Sequence, residues 1–179
     1  MITLRHERNA DIPAREALLD EAFGDFRARK TSERLRAGRL PAEGLAFVAA
    51  DGRRLVGTAQ LWNIACGSDQ PALLLGPVAV VSDCRNRGIG AALVRRAVAE
   101  ARRRGHSAII LVGDEPYYSR FGFSGEKIAA VRLPGPFERH RLLALELVPG
   151  ALGGARGMVK ATGRLAQKPD RVASAARAA

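Results

Sequence analysis

Two neighbouring stretches decide the fold: Ala72–Val81, ALLLGPVAVV, and Arg85–Gly90, RNRGIG. The first is the longest apolar run in the chain. It predicts a central strand buried on both faces, because no residue in it is suited to a solvent side. Gly76-Pro77 argues against a regular ladder, since proline removes a donor and glycine often marks a bulge. The second stretch is a glycine-rich turn that opens a helix over about 89–104, with Ile89, Leu93, Val94, Ala97, Val98 and Ala101 as an apolar stripe. Arg96, Glu100, Arg103 and Arg104 fall on its outer face, and Gly105 is a natural stop. SAIILVG follows as a second buried strand. Strand, loop, helix and strand in this order predict a parallel pair joined by a crossover.

Working outward, the spacing upstream predicts a strand at ITLRHER and a helix from Pro13 to about Gly24, capped by Asp11. Ala14, Ala17, Leu18, Ala22 and Phe26 are its expected apolar face, with Glu16, Asp20 and Glu21 outside. Thr31 and Ser32 begin a second short helix ending near Gly38. LAFVAAD and RRLVGTAQLWNI read as a hairpin turning at Asp51-Gly52, two residues that tolerate positive φ. The segment ACGSDQP reads as a loop. Downstream, DEPYYSRFGF predicts a short helix capped by Asp114 or Glu115 and ended by Gly122. Further strands are expected at 128–133, 141–148 and 157–161. Residues 1–163 thus form one α/β domain, and 164–179 a basic, mobile tail.

At 179 residues, with 47% hydrophobic and 26% charged residues, the chain is long enough for one core and ordinary in composition. No stretch approaches the roughly 18 apolar residues of a membrane span, and MITLRHERNAD lacks a signal-peptide core, so the expected location is cytoplasmic. Cys66 and Cys84 do not form a CxxC pair, and His6, His106 and His140 show no ligand spacing; neither a metal nor a disulfide framework is expected. The net charge is +11, of which 151–179 supplies +5 and the rest +6. Such a charge invites a nucleic-acid role. The arginines, however, are spread along the chain instead of gathering on one helix, and interleaved aromatic and basic residues are missing.

Backbone N–H groups in a glycine-rich strand-to-helix turn converge on one spot, where the helix N-terminus adds partial positive charge. Gly88 and Gly90 permit close approach, and Arg85 and Arg87 add attraction for anionic oxygens. Alone, RxxGxG is as consistent with a tight turn as with an anion site. A nucleotide P-loop is disfavoured, since the usual Lys-Ser/Thr is missing.

With the flanking strands, the long helix and YYSRFGF in order, the chain resembles the GNAT superfamily of N-acetyltransferases. Arg85, Gly88 and Gly90 meet that family's acetyl-CoA loop pattern, and Tyr118, Gly122 and Phe123 its later tyrosine element. The resemblance is closest over 72–125 and looser over 1–163. It implies a mixed, mostly antiparallel twisted sheet, a central splayed parallel strand pair and helices on both faces. It also implies acetyl-CoA as co-substrate, a primary amine as acceptor and direct attack in a ternary complex. Val78, Ala79 and Val80 would bind the pantetheine arm, with a backbone N–H near Val80 as oxyanion donor. The loop residues Arg85, Asn86, Arg87, Gly88, Ile89, Gly90 and Ala91 would carry the pyrophosphate. Homodimers are common in the family.

Tyr118 is the implied general acid returning a proton to the thiolate, with Tyr117 as a substitute if the register differs. The base is open: no carboxylate lies in 72–81, and Asp114, Glu115, Asp69, Asp83 or water could receive the proton. Cys84 lacks an adjacent histidine and reads as a filler. Trp62 and Phe47 could line an acceptor pocket or simply belong to the core. Arg53 and Arg54 read as turn surface charge, and Phe121 and Phe123 as core anchors. A basic surface could suit an acidic acceptor or serve solubility. A CoA-binding regulatory module without activity and a nucleic-acid-binding protein remain the rival readings.

Overall fold

Strand β1 (Ile2–His6) pairs antiparallel with β2 (Ala46–Asp51), which turns back into β3 (Arg54–Cys66), in a computed structural model describing residues 1–67 and 70–167. Asp51 faces Arg54, so the turn residues are Gly52 and Arg53, and Asp51 closes the strand. Of the two, Gly52 takes the positive φ, at 59°. The expected turn is thus one residue out of place. β4 (Gln70–Val80) runs antiparallel to β3 along nearly its whole length. The expected ACGSDQP loop is mostly strand: Ala65 and Cys66 pair with Pro71 and Gln70, and β8 (Gly157–Ala161) holds the same end of β3 from its other edge.

Among the described residues four α-helices join these strands: α1 (Ile12–Phe23), α2 (Thr31–Arg34), α3 (Ile89–Arg103) and α4 (Glu115–Tyr118). β5 (Ala108–Val112) follows α3 and pairs parallel with β4, and β7 (Leu142–Glu146) closes antiparallel on β5. β6 (Val131–Arg132) pairs parallel with β8, a second parallel contact that the sequence did not foreshadow. The sheet is therefore mixed and mostly antiparallel, ordered β1-β2-β3-β4-β5-β7 with β6 and β8 off one side, and helices flank it.

Alternation along the strands distributes side chains between two cores. Leu73, Leu75, Ile109 and Leu111 join one, with Leu93, Val94 and Ala97 of α3 and Leu18 and Leu19 of α1. Ala72, Leu74, Ala108 and Ile110 join the other, with Leu35, Ile128, Val131 and Leu152. This double burial is why both strands read as unbroken apolar runs. Each fully buried leucine or isoleucine contributes roughly 1.5–3 kcal/mol against leaving it in water.

Three helical expectations need correction. The buried positions of α1 are Leu18 and Leu19, with Ala22 and Phe23 half-buried, whereas Ala14, Ala17 and Phe26 are exposed. Phe26 lies beyond the helix in a 3₁₀ segment, so helical spacing does not extend to it. The Asp11 side chain makes no capping bond to α1; it accepts hydrogen bonds from Arg5 at 2.6 and 2.8 Å and from the Arg8 N–H at 2.7 Å. Those bonds hold its carboxyl at about 2, well below the usual range. Glu100, expected on the outer face of α3, is only 7% exposed, because Arg103 and Arg104 fold over it at 2.5 and 2.8 Å.

Candidate active site

The parallel pairing of β4 and β5 extends over only two residue pairs, Leu73–Ile109 and Leu74–Ile110. Beyond Leu74, β4 continues to Val80 paired only with β3, so its other edge opens into a gap. The Val81 N–H donates to the Val56 carbonyl across the β3 side at 3.0 Å. Since main-chain groups alternate along a strand, those of Val78 and Val80 face the gap and those of Ala79 face β3. Val78 and Val80 are half-buried, and Ala79 is buried. At the point of splay the Trp62 indole donates to the Gly76 carbonyl at 2.6 Å, fixing β4 where its ladder shifts register.

The loop at the far end of β4 is exposed from Arg85 to Gly88, while Ile89 is anchored in the core. Asn86 and Gly88 take positive φ, 62° and 76°, the second as N-cap of α3. A Cβ on Gly88 would meet nothing within 4 Å, so its glycine answers to backbone conformation and leaves open space in front of the loop. The first helical N–H groups, of Ile89, Gly90 and Ala91, have no intrahelical partner and point into that space. The Ala92 N–H makes the first helical bond, to Gly88.

α4 places both tyrosines beside this loop and gap. A Cβ on Gly90 would lie 3.2 Å from the Tyr117 hydroxyl oxygen, so Tyr117 leans over the start of α3. The Tyr118 ring packs on Gly113, where a Cβ would come within 2.3 Å of it, and meets the Phe121 and Phe123 rings at 6.3 and 6.0 Å between centroids. Phe123 is a core residue, as expected; Phe121 is half-buried and carries Arg95 over its face at 5.4 Å. Burial first, then the neighbouring Tyr117, pushes the Tyr118 phenol up to about 12, with Arg141 opposing.

Tyr118 also lines a cleft of roughly 490 Å³ on the splayed side of β4, together with Leu75, Gly76, Pro77 and Val78. Its other walls are Phe23 and the 27–36 segment, Val112–Asp114, and 133–141. The Thr31 hydroxyl donates to the Pro136 carbonyl, and Arg34 to the Pro134 carbonyl at 3.1 Å, tying two of these walls together.

Of the carboxylates weighed as bases, Asp114 lines the cleft. Its side chain makes no cap to α4. Glu115 is exposed outside the cleft lining. Asp83 is clasped by Arg54 at 2.7 and 3.1 Å on the surface. Asp69 lies outside the described residues. Cys84 is buried with Arg87 at 3.6 Å, Phe47 is core against His6, and Trp62 is buried with its indole spent on Gly76. Sequence reasoning missed the cleft's cationic wall. Arg27, Arg29, Lys30, Arg36 and Arg141 converge there from two segments, although the arginines looked dispersed along the chain. The dense run RARKTSERLR, 27–36, was the available signal.

The profile of the Acetyltransferase (GNAT) family matches residues 12–123. The uncharacterized N-acetyltransferase YhbS of Escherichia coli K12 is 28% identical over 162 residues, covering 88% of this chain and 94% of its own. The crystal structure of Escherichia coli YhbS in complex with CoA superposes with a TM-score of 0.76 over 89% of each chain. A GNAT acetyltransferase from Brucella melitensis in complex with acetyl-CoA, 27% identical, gives 0.60 over 81% of this chain and 96% of its own. The profile spans more than half of the chain and includes the loop, α3 and the tyrosine element described above. The chain is an acyltransferase and belongs to the GNAT family.

Proposed function

We propose that this chain transfers an acetyl group from acetyl-CoA to a primary amine by direct attack within a ternary complex. The observation that carries the reading is the unpaired edge of β4: main-chain groups of Val78 and Val80 face a gap bounded by an open anion loop at one end and Tyr118 at the other. Similarity to proteins crystallised with CoA and acetyl-CoA supports the same donor.

In this reading the N–H groups of Asn86, Gly88, Ile89, Gly90 and Ala91 receive the pyrophosphate, with Arg85 and Arg87 adding charge. Val78 and Val80 bond the pantetheine arm in place of the missing strand, and the Val80 N–H stabilises the thioester oxygen as it gains charge. Ala79, turned to β3, contributes packing. The amine nitrogen gives one proton to Asp114, directly or through water, before it attacks. As the C–S bond breaks, Tyr118 donates its proton to the departing thiolate, and the second amine proton, passed through water, replaces it on the Tyr118 oxygen, so that one proton leaves on Asp114 and the other on the thiol. The high phenol pKa keeps that proton in place at neutral pH. Residues 1–163 act as the catalytic domain, and the basic tail is assigned to 164–179, of which 168–179 lie outside the described residues. The described start of that tail touches the fold, through the Arg164 carbonyl on the Leu40 N–H and a Leu165–Arg39 bridge.

Calorimetry with acetyl-CoA, followed by an amine panel read through free thiol release, tests the proposal. Saturable binding with turnover of at least one amine is expected. Absence of binding overturns the donor assignment, and binding without turnover across the panel favours a CoA-binding regulatory module.

A further inference from the structure

The cationic wall of the cleft has more charge than its own carboxylates answer. Five basic side chains line the cleft against two acids, Asp114 and Glu138. Arg27 is met by Glu16 at 2.6 Å and Asp20 at 2.8 Å, and Arg141 by Glu138 at 3.8 Å. Lys30 and Arg29 have no carboxylate within ion-pair distance among the described residues; Lys30 instead stands 3.8 Å over the Phe23 ring. Partial burial, with Arg36 and Arg141 close by, lowers the Lys30 ammonium from its ordinary value, although much of the side chain reaches solvent. Lys30 and Arg29 thus stand beside Arg36 and Arg141 with no ion pair of their own among the described residues, while Arg27, Arg36 and Arg141 are paired.

Arg36 supplies an independent observation. It is 6% exposed, yet its Nε finds no partner. Its Nη2 is held by Glu33 at 2.8 Å and touches the Ser32 hydroxyl at 3.5 Å. Its Nη1 lies 3.2 Å from where a Gly76 Cβ would stand, at the point where β4 leaves β5. A buried guanidinium with spare donors is costly unless an acceptor meets it, and its fork suits a carboxylate or phosphate. Asp114 and Tyr118 mark the opposite polarity in the same cleft, with Leu75, Pro77 and Phe137 as apolar wall. A cleft of roughly 490 Å³ suits a small molecule.

We propose that the acceptor is a small amine bearing an anionic group, a carboxylate or phosphate, which seats on Arg36 and Lys30 while its amine turns toward Asp114 and Tyr118. This rests on the acetyltransferase reading and names the substrate class it serves. Anion binding relieves the crowding of Lys30, Arg36 and Arg141, so selectivity arises from charges already in place.

Matched pairs test the proposal: turnover of 6-aminohexanoate against hexylamine, and of 2-aminoethyl phosphate against ethanolamine. Binding of 6-acetamidohexanoate and its amide to the CoA-loaded protein is measured by calorimetry. The anionic member should win by about ten- to a hundredfold, the range of a charge-assisted hydrogen bond. Which pair shows the larger ratio separates carboxylate from phosphate. Lys30→Met and Arg36→Met should bring the ratio toward one with an unchanged acetyl-CoA Kd. Lys30 is exposed, so its variant keeps the test alive if Arg36→Met fails to fold. Parity in wild type, no binding of either acetamido probe, or a ratio untouched by Lys30→Met overturns the proposal. Failure of acetyl-CoA to bind overturns the donor reading instead, and the acetamido probes on the free protein then judge the anion seat by the same ratio.

Discussion

Replacing Tyr118 by phenylalanine removes one hydroxyl and leaves the ring where it is packed. The ring is held by Gly113 beneath it and by Phe121 and Phe123 at its edges, contacts that phenylalanine keeps. No hydrogen bond contributes to the raised pKa of the phenol, whose causes are burial and then Tyr117, with Arg141 opposing. No described partner is therefore orphaned, and stability should move by less than about 0.5 kcal/mol. Catalysis should respond differently. A positioned general acid contributes roughly 10²- to 10⁴-fold, which is about 2.7 to 5.4 kcal/mol of barrier. The assay is thiol release under saturating acetyl-CoA, with acetyl-CoA affinity from calorimetry and stability from denaturant midpoints on the same preparations. A fall in kcat with unchanged Kd and unchanged midpoint is expected. With a phenol at about 12, the wild-type rate should show no alkaline loss attributable to Tyr118 until the pH comes within roughly one unit of that value. Tyr118→Phe turning over within twofold of wild type, or Tyr117→Phe showing the larger fall, would refute the assignment.

Gly88→Glu forces a side chain into positive φ and places a carboxylate in front of the loop; acetyl-CoA affinity should drop at least about tenfold, and an unaltered Kd would remove the loop from the site. Glu100 is held at about 2, chiefly by its bond to Arg103 and then by Arg104. Its folded value lies below the unfolded one, so its contribution is complete above the ordinary carboxylate range and is lost as pH falls toward about 2. Glu100→Gln should lower stability at neutral pH and flatten the acid limb between about pH 5 and pH 2, read as denaturant midpoints against pH.

How much of this was legible in the sequence depended on whether neighbours in the chain or neighbours in space decide the structure. RNRGIG was readable because strand end, loop and helix start are contiguous, and Gly88 does take the left-handed conformation the turn requires. The doubly buried strands were readable for the same reason, as alternation leaves no polar face. Glu100 was misplaced because helical periodicity locates a Cβ but not what two long arginines fold over. The cap expected of Asp11 failed because Arg5, on the preceding strand, competes for the same carboxylate. The extent of the splay came only from resemblance, since residue types do not say where pairing stops. The cationic cleft is assembled from 27–36 and 141, segments separated by most of the domain, and no spacing rule reports such a meeting.

The two-rung contact between β4 and β5 makes the sheet two leaves joined at a seam. β1 to β4 form one leaf and β5 with β7 the other; beyond Leu74 and Ile110 no backbone pairing among the described residues links them. A donor arm lying in that seam, as proposed, completes the lattice that the chain leaves unfinished, so ligand affinity and leaf-to-leaf rigidity draw on one free energy. The protein's stiffness is then a readout of its saturation: loaded, it is one sheet, and empty, two that share a short edge.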